Sequence, residues 1–179
     1  MKTDNSHKIE KILLRIEALS LLSKKEVRVL DCYAGRGVMW TEVAKRTDKN
    51  LKVLQIEKEK GKNRNAICGD NLKVLQAIDL SKYDIIDLDS YGIPDKQLQI
   101  LFDKNYHGVV IVTAIQSMLG QMPKKILLSN GFTEKMIKKC PTIFSSKGFD
   151  YLKNYLYLYD CKQVTGYFID RKNYFYFTI

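Results

Sequence analysis

Four acidic residues stand in this chain just where a short apolar run ends. Asp31 follows Val27-Arg28-Val29-Leu30, Glu57 follows Leu51 to Ile56, Asp70 follows Asn65 to Cys68, and Asp89 follows Tyr83 to Leu88. Gly35 and Gly37 lie shortly after the first of them. A glycine after a strand lets the backbone come against a ligand with no Cβ in the way. A carboxylate about 20 residues further on, at the end of the second strand, is the usual device for gripping ribose hydroxyls. Glu57 follows Gly37 by 20 positions. Singly, Asp31, Glu57 and Asp70 would read as helix caps or loop acids. Together, at successive strand ends, they read as a nucleoside-binding site.

The ribose ligand can be narrowed. The nicotinamide fingerprint places a third glycine three residues after the second, and that position here is Trp40. The phosphate-cradling Gly-x-x-x-x-Gly-Lys-Ser/Thr motif is absent from the sequence. A cofactor with ribose and adenine but no phosphate fits better, and S-adenosylmethionine is that molecule. Glu57 then takes the ribose, Asp70 the adenine amine, and the Gly35-Arg36-Gly37 backbone lies under the methionine part.

The run Val29-Leu30-Asp31-Cys32-Tyr33-Ala34-Gly35-Arg36-Gly37 resembles the Asp-x-Phe-Ala-Gly-x-Gly signature of class I S-adenosylmethionine-dependent methyltransferases. That wording is most common among those that modify RNA or DNA. Glu57, Cys68-Gly69-Asp70-Asn71 and Asp89-Ser90-Tyr91-Gly92 fall where the family's later motifs belong, and order and spacing match from about Val27 to Gly120. The resemblance implies an α/β, Rossmann-like fold with a mostly parallel seven-stranded sheet closed by a C-terminal antiparallel hairpin. It implies S-adenosylmethionine contacts at Asp31, Tyr33, Gly35, Gly37, Glu57, Asp70, Asn71 and Asp89.

Base-amine members of that family carry an Asp/Asn-Pro-Pro-Tyr/Phe or Asp-Pro-Phe/Tyr-Gly turn after the fourth strand. Its chemistry explains its residues. An exocyclic ring amine has its lone pair spread into the ring and is a poor nucleophile. A carboxylate and a backbone carbonyl that accept its two hydrogens localise the lone pair, and an aromatic ring stacked on the base fixes the plane. The sulfonium leaving group supplies the reactivity and the protein the alignment. Asp87-Leu88-Asp89-Ser90-Tyr91-Gly92 looks most like the Asp-Leu-Asp-Pro-Phe/Tyr-Gly of the tRNA guanine-N2-dimethyltransferase family, with a looser echo at Val112-Thr113-Ala114 and Leu119-Gly120. The resemblance implies that Asp89 and the Ser90 carbonyl hold the amine and that Tyr91 stacks on the base. Strand alternation puts Asp87 and Asp89 on one side, one to meet the cofactor edge and the other the substrate. The chain departs from the pattern in two places: Ser90 replaces the proline that stiffens the turn, and Gln116 stands near where that family has an acid. It also has no room for that family's C-terminal domain.

The elements that must position these residues follow from periodicity. Ser6 can cap a helix with apolar positions Ile9, Ile12, Leu13, Ile16 and Leu19. Five strands then alternate with helices, which implies a parallel sheet; Gly108 to Thr113 reads as buried on both faces. Helices are expected near Val38–Arg46, Leu72–Ile78, Asp95–Phe102 and Thr133–Lys139. Of three β-rich runs near the end, 154–160, 164–169 and 173–179, two form the hairpin, and the pattern leaves open which two. Cys32, Tyr33 and Trp40 read as packing residues. With 179 residues, one domain is expected: an N-terminal helix in 1–25, a cofactor-binding and catalytic core in 26–120, and a closing helix and hairpin in 121–179.

The chain is 45% hydrophobic and 28% charged, with a net charge of +10, an ordinary globular composition with a basic excess. A polyanionic partner and a Lys-rich solubilising surface are equally open on charge alone. Lys58 to Arg64 is a basic loop where a helix usually follows the second strand, suited to phosphates or to solvent. Tyr155, Tyr157 and Tyr159 suit base stacking or sheet core. Cys32, Cys68, Cys140 and Cys161 lie apart, and with only His7 and His107 they make no zinc pattern, so all four read as apolar fillers. Neither a membrane span nor a secretory leader is read, and a cytoplasmic protein is expected. The leading expectation is methylation of a base amine in nucleic acid, RNA such as tRNA before DNA. The alternatives are a protein or small-molecule methyltransferase and an inactive cofactor- or RNA-binding module.

Overall fold

The run Val109–Ile115 is nearly continuous apolar sequence, and its first six residues are buried. It forms β5, an inner strand of the sheet. The computed structural model describes residues 7–116, 121–139, 147–169 and 172–179; Ser6, Leu119-Gly120 and Cys140 lie outside them. The strands are β1 (Glu26–Asp31), β2 (Asn50–Glu57), β3 (Ile67–Cys68), β4 (Ile85–Asp89), β5, β6 (Lys162–Ile169) and β7 (Lys172–Thr178). They make one seven-stranded sheet in the order β3-β2-β1-β4-β5-β7-β6. The first five are parallel, and β7 runs antiparallel to both β5 and β6. This is the mostly parallel sheet with a closing hairpin.

Strand alternation divides the core into two layers. Val27, Val29, Ile85, Val109, Ile111, Tyr174 and Tyr176 face α1 (Lys8–Ser20) and α2 (Val38–Ala44). Leu30, Cys32, Ile86, Leu88, Val110, Val112, Phe175 and Phe177 face the helices α3 (Asn71–Ala77), α4 (Asp95–Asp103), α5 (Lys124–Ser129) and α7 (Gly148–Tyr157). The short α6 (Glu134–Lys139) buries none of its residues. Residues 58–66 form turns and bends with no helix. Among the described residues, no helix is long and apolar enough to cross a membrane.

Three expectations are corrected. The run 154–160 is mostly helical: Leu152, Tyr155 and Leu156 are buried at helical spacing, and Tyr159 stacks on Phe102 with centroids 4.0 Å apart. Strand alternation would pair Leu156 with Leu158, yet Leu156 is 0% and Leu158 64% exposed. The hairpin therefore comes from the second and third runs. Cys68 is exposed, unlike Cys32 and Cys161. The third correction concerns α1, whose buried face is Lys11, Ile12, Leu14, Arg15, Ala18 and Leu19. Ile9 and Leu13 point outward.

The face of α1 is turned by its partners on β4. The Arg15 guanidinium donates Nε to Asp87 Oδ2 at 2.8 Å and Nη2 to Asp87 Oδ1 at 3.0 Å. The Trp40 indole donates to Asp87 Oδ2 at 2.8 Å, so Trp40 does more than fill the core. Arg15 and Asp87 side chains are each 1% exposed. A buried pair of this kind is strongly destabilising to break, because the remaining charge stays in the core. Arg15→Met is expected to cost about 3–5 kcal/mol in urea unfolding; a loss below about 1 kcal/mol would show that α1 is held by its apolar contacts alone.

Candidate active site

The strand order reverses at β1, since β2 lies on one side of it and β4 on the other. A crevice beyond the carboxyl ends of the strands is expected at such a point. A cavity of about 1160 Å³ opens there, against roughly 300–1,000 Å³ for a drug-sized ligand site. Its wall is made by the segments after β1 (Asp31 to Arg36), around the end of β2 (Ile56 to Glu59), after β3 (Gly69 to Leu72) and after β4 (Asp89 to Tyr91). Of the residues singled out in the sequence, Asp31, Tyr33, Gly35, Glu57, Asp70, Asn71, Asp89, Ser90 and Tyr91 all line it. Gly37 does not.

Gly37 has another task. It precedes α2 at φ 77°, and a Cβ there would lie 2.8 Å from Asn63 Nδ2 and 2.9 Å from Gln55 Oε1. These two side chains hydrogen-bond each other at 3.0 Å, so Gly37 lets the loop after β1 close against the loop after β2. Gly35, at φ 56°, has no atom within 4 Å of where a Cβ would stand. Its bare backbone faces the cavity.

The acids at the strand ends are held in different ways. Glu57 Oε1 accepts the Glu59 backbone N–H at 2.9 Å, and Lys62 stands 3.8 Å from Oε2. Asp70 caps α3, its Oδ1 accepting the Leu72 N–H at 2.9 Å. Asn71 donates Nδ2 to the Cys32 carbonyl at 3.0 Å and accepts from Gln97 Nε2 at 2.9 Å. Gln97 also donates to the Tyr33 hydroxyl at 2.7 Å, and burial pushes the Tyr33 phenol up to about 12.

Asp31, Asp87 and Asp89 share the α1 face of the sheet. Asp31 sits beside Asp87 in the β1–β4 register, and Asp89 beside Thr113 in the β4–β5 register. Asp89 lies on the side of Asp87, as strand alternation implies, but Asp87 does not line the cavity; Arg15 and Trp40 seal it off. Burial drives the Asp31 carboxyl well above the ordinary carboxylate range, and the neighbouring Asp87 adds to it against Arg15. Burial raises Asp87 too, with Arg15 opposing. Burial also acts to raise Asp89, but the Arg15 and Lys11 charges and hydrogen bonds from Lys11 and Thr113 prevail and hold it below its usual value. Lys11 Nζ lies 2.8 and 2.9 Å from the two Asp89 oxygens.

The turn after β4 is fixed without proline. Ser90 is buried, and its hydroxyl is placed to donate to the carbonyls of Gly92 at 2.7 Å and Thr113 at 2.9 Å. The Ile115 N–H bonds the Gly92 carbonyl at 3.1 Å. Tyr91 is 49% exposed at the cavity edge. The Gln116 amide lies where a Cβ on Gly148, at the start of α7, would stand. Lys11, Arg15 and Gln97 belong to the site and were missed. Lys11 and Arg15 are one turn apart on α1, a spacing that also suits a solvated face, so nothing local marks them. Among the described residues, no group of three or more His, Cys, Asp or Glu could hold a metal ion.

The raised Asp31 carboxyl has a defined effect on stability. Between the unfolded value and the higher folded one, the folded chain holds a proton that the unfolded chain has released, so stability falls as pH rises through that window. Asp31→Asn is expected to raise the melting temperature at neutral pH and to flatten this fall. A lower melting temperature at pH 7 would mean that charged Asp31 stabilises the apo fold.

No protein-family model matches the chain, and no curated protein matches it in sequence. Solved structures do match its fold. The Escherichia coli protein yhhF, provisionally described as a methyltransferase, is 12% identical with a TM-score of 0.55, over 99% of this chain and 88% of its own. The plantazolicin methyltransferase BamL, solved with a triazolic desmethylPZN analog and SAH, is 13% identical with a TM-score of 0.54, over 86% of this chain and 62% of its own. A Clostridium thermocellum protein, provisionally described as an rRNA-methylase, is 11% identical with a TM-score of 0.51, over 99% and 97%. At these identities the likeness is one of architecture: the chain is built on the Rossmann-like sheet that these methyltransferases share.

Proposed function

We propose that the chain is an S-adenosylmethionine-dependent methyltransferase acting on an exocyclic amine of a base in nucleic acid, RNA such as tRNA before DNA, in the cytoplasm. The observation that carries this reading is the cavity at the strand reversal, where Gly35, Glu57, Asp70, Asp89 and Tyr91 converge in the order their sequence motifs resemble. The residues present fit the cofactor. Gly35 offers bare backbone with open space at its Cβ position, Glu57 and Asp70 are carboxylates suited to ribose hydroxyls and an adenine amine, and Asp31 is a buried acid beside them. Tyr33, Asn71 and Gln97 form the hydrogen-bonded wall behind them. S-adenosylmethionine, when bound, supplies a methyl group activated by its sulfonium.

The protein's part is alignment. Asp89 is held ionised, so its oxygens accept N–H hydrogens rather than donate. The Ser90 carbonyl accepts the second hydrogen of the amine, and the Ser90 hydroxyl, tied across the turn, replaces the stiffness of a proline ring. Tyr91 at the edge supplies a face on which a base stacks. Lys8, Arg36, Lys58 and Lys62 surround the cavity, and the net charge of +10 suits a phosphate-bearing substrate. The architectural likeness to an rRNA-methylase agrees with this.

Calorimetric titration with S-adenosylmethionine is expected to give binding heat, and labelled methyl is expected in total tRNA rather than in DNA or protein. No heat with folded protein would overturn the reading; label in protein alone would overturn the substrate. Glu57→Ala is expected to weaken cofactor binding by about 1–3 kcal/mol, the range for a lost polar partner. Asp89→Ala is expected to abolish transfer while leaving cofactor affinity within a few-fold, and full activity in that variant would defeat the amine mechanism.

A further inference from the structure

The pair Lys11–Asp89 differs from its neighbour Arg15–Asp87 in one respect. Arg15 and Asp87 are each 1% exposed, and their contact fastens α1 to the sheet. Lys11 and Asp89 side chains are 9% and 17% exposed, and both residues line the cavity. A second structural clamp one turn away would not need to face the cleft. Lys11 Nζ sits astride the carboxylate, 2.8 and 2.9 Å from its two oxygens, which is the seat a donor nitrogen of a substrate would take. The Arg15 guanidinium stands 3.5 Å from Asp89 Oδ2.

We propose that Lys11 is a specificity-determining residue: seated on Asp89, its ammonium admits a neutral ring amine beside it and turns away a protonated alkyl amine. This deepens the amine-methylation reading and rests on it. The groups facing Asp89 are Lys11 and Arg15 from α1, Asp87 on its own strand, Asp31 on β1 and Thr113 on β5. Arg15 spends its short carboxylate hydrogen bonds on Asp87 and reaches Asp89 only at 3.5 Å, so the close partner of the Asp89 charge is Lys11. An alkyl ammonium, protonated at neutral pH with a value near 10.4, would bring a second like charge to a neutralised carboxylate. A ring amine is uncharged and meets no such repulsion; each carboxylate oxygen keeps a lone pair for its N–H. Discrimination of this kind works through the penalty on the wrong ligand. It separates base amines from lysine side chains without any contact to the rest of the substrate.

The test uses the whole chain without cofactor and n-butylammonium chloride as the probe, titrated while the NMR signals of Asp89 and Tyr91 are followed at constant ionic strength. Lys11→Met is expected to bind the probe at least 10-fold more tightly than the wild type. Lys11→Arg is expected to behave as wild type, and Lys11→Met with Asp89→Asn is expected to lose the gain. Lys11→Gln, which keeps a hydrogen-bond donor on Asp89, serves if the Met variant does not fold, with the same expected gain. Equal binding by wild type and the uncharged variants, or no binding by any of them, overturns the proposal. Because the gain counted is only the part that Asp89→Asn removes, this failure is distinct from absent S-adenosylmethionine heat, which would strike the methyltransferase reading itself.

Discussion

Three carboxylates on one face of two adjacent strands are the constraint around which this protein is organised. Asp31, Asp87 and Asp89 crowd the carboxyl ends of β1 and β4, where each charge raises the cost of the next. The fold answers with two cations from a single helix. Arg15 and the Trp40 indole satisfy Asp87 completely and bury it, and Lys11 meets Asp89 at the cavity edge. Among the described residues no cation pairs with Asp31, and it is pushed toward its neutral form. The shortage is local to the cavity, which Asp31 lines.

The strand ends and their acids were legible because they depend on local pattern. Each apolar run is short, each ends at a turn, and in a parallel sheet all such ends meet on one edge. The turn after β4 was legible in position, though the stiffening role of the Ser90 hydroxyl required its two carbonyl partners to be seen. Two things were hidden. The run around Tyr155 alternates as a strand does, and only the burial of Leu152, Tyr155 and Leu156 reveals its helical period. The face of α1 was hidden for a deeper reason: hydropathy favours Ile9 and Leu13, while carboxylates far along the chain choose Lys11 and Arg15. No window of sequence contains both halves of that choice.

The two glycines of the loop after β1 illustrate how one motif divides its labour. Gly35 leaves space on the cavity side, whereas Gly37 removes a collision with Gln55 and Asn63 behind it. The absent helix between β2 and β3 belongs to the same arrangement. Turns over residues 58–66 bring Asn63 back onto β2 and leave Lys58 and Lys62 at the cavity. The basic loop is therefore part of the wall, carried by a hydrogen bond to the strand it follows.

The clamp on α1 also orders events during synthesis. Arg15 lies 72 residues before Asp87, Lys11 lies 78 before Asp89, and Glu17 bonds Tyr167 across 150 residues. The helix must wait for partners made much later, and contacts of such long range slow folding. Until β4 emerges, Lys11 and Arg15 lack Asp89 and Asp87, and α1 has only its apolar contacts with β1 and α2. A nascent chain stalled before that point would carry the glycine loop yet lack the cleft, whose wall is completed by the segment after β4.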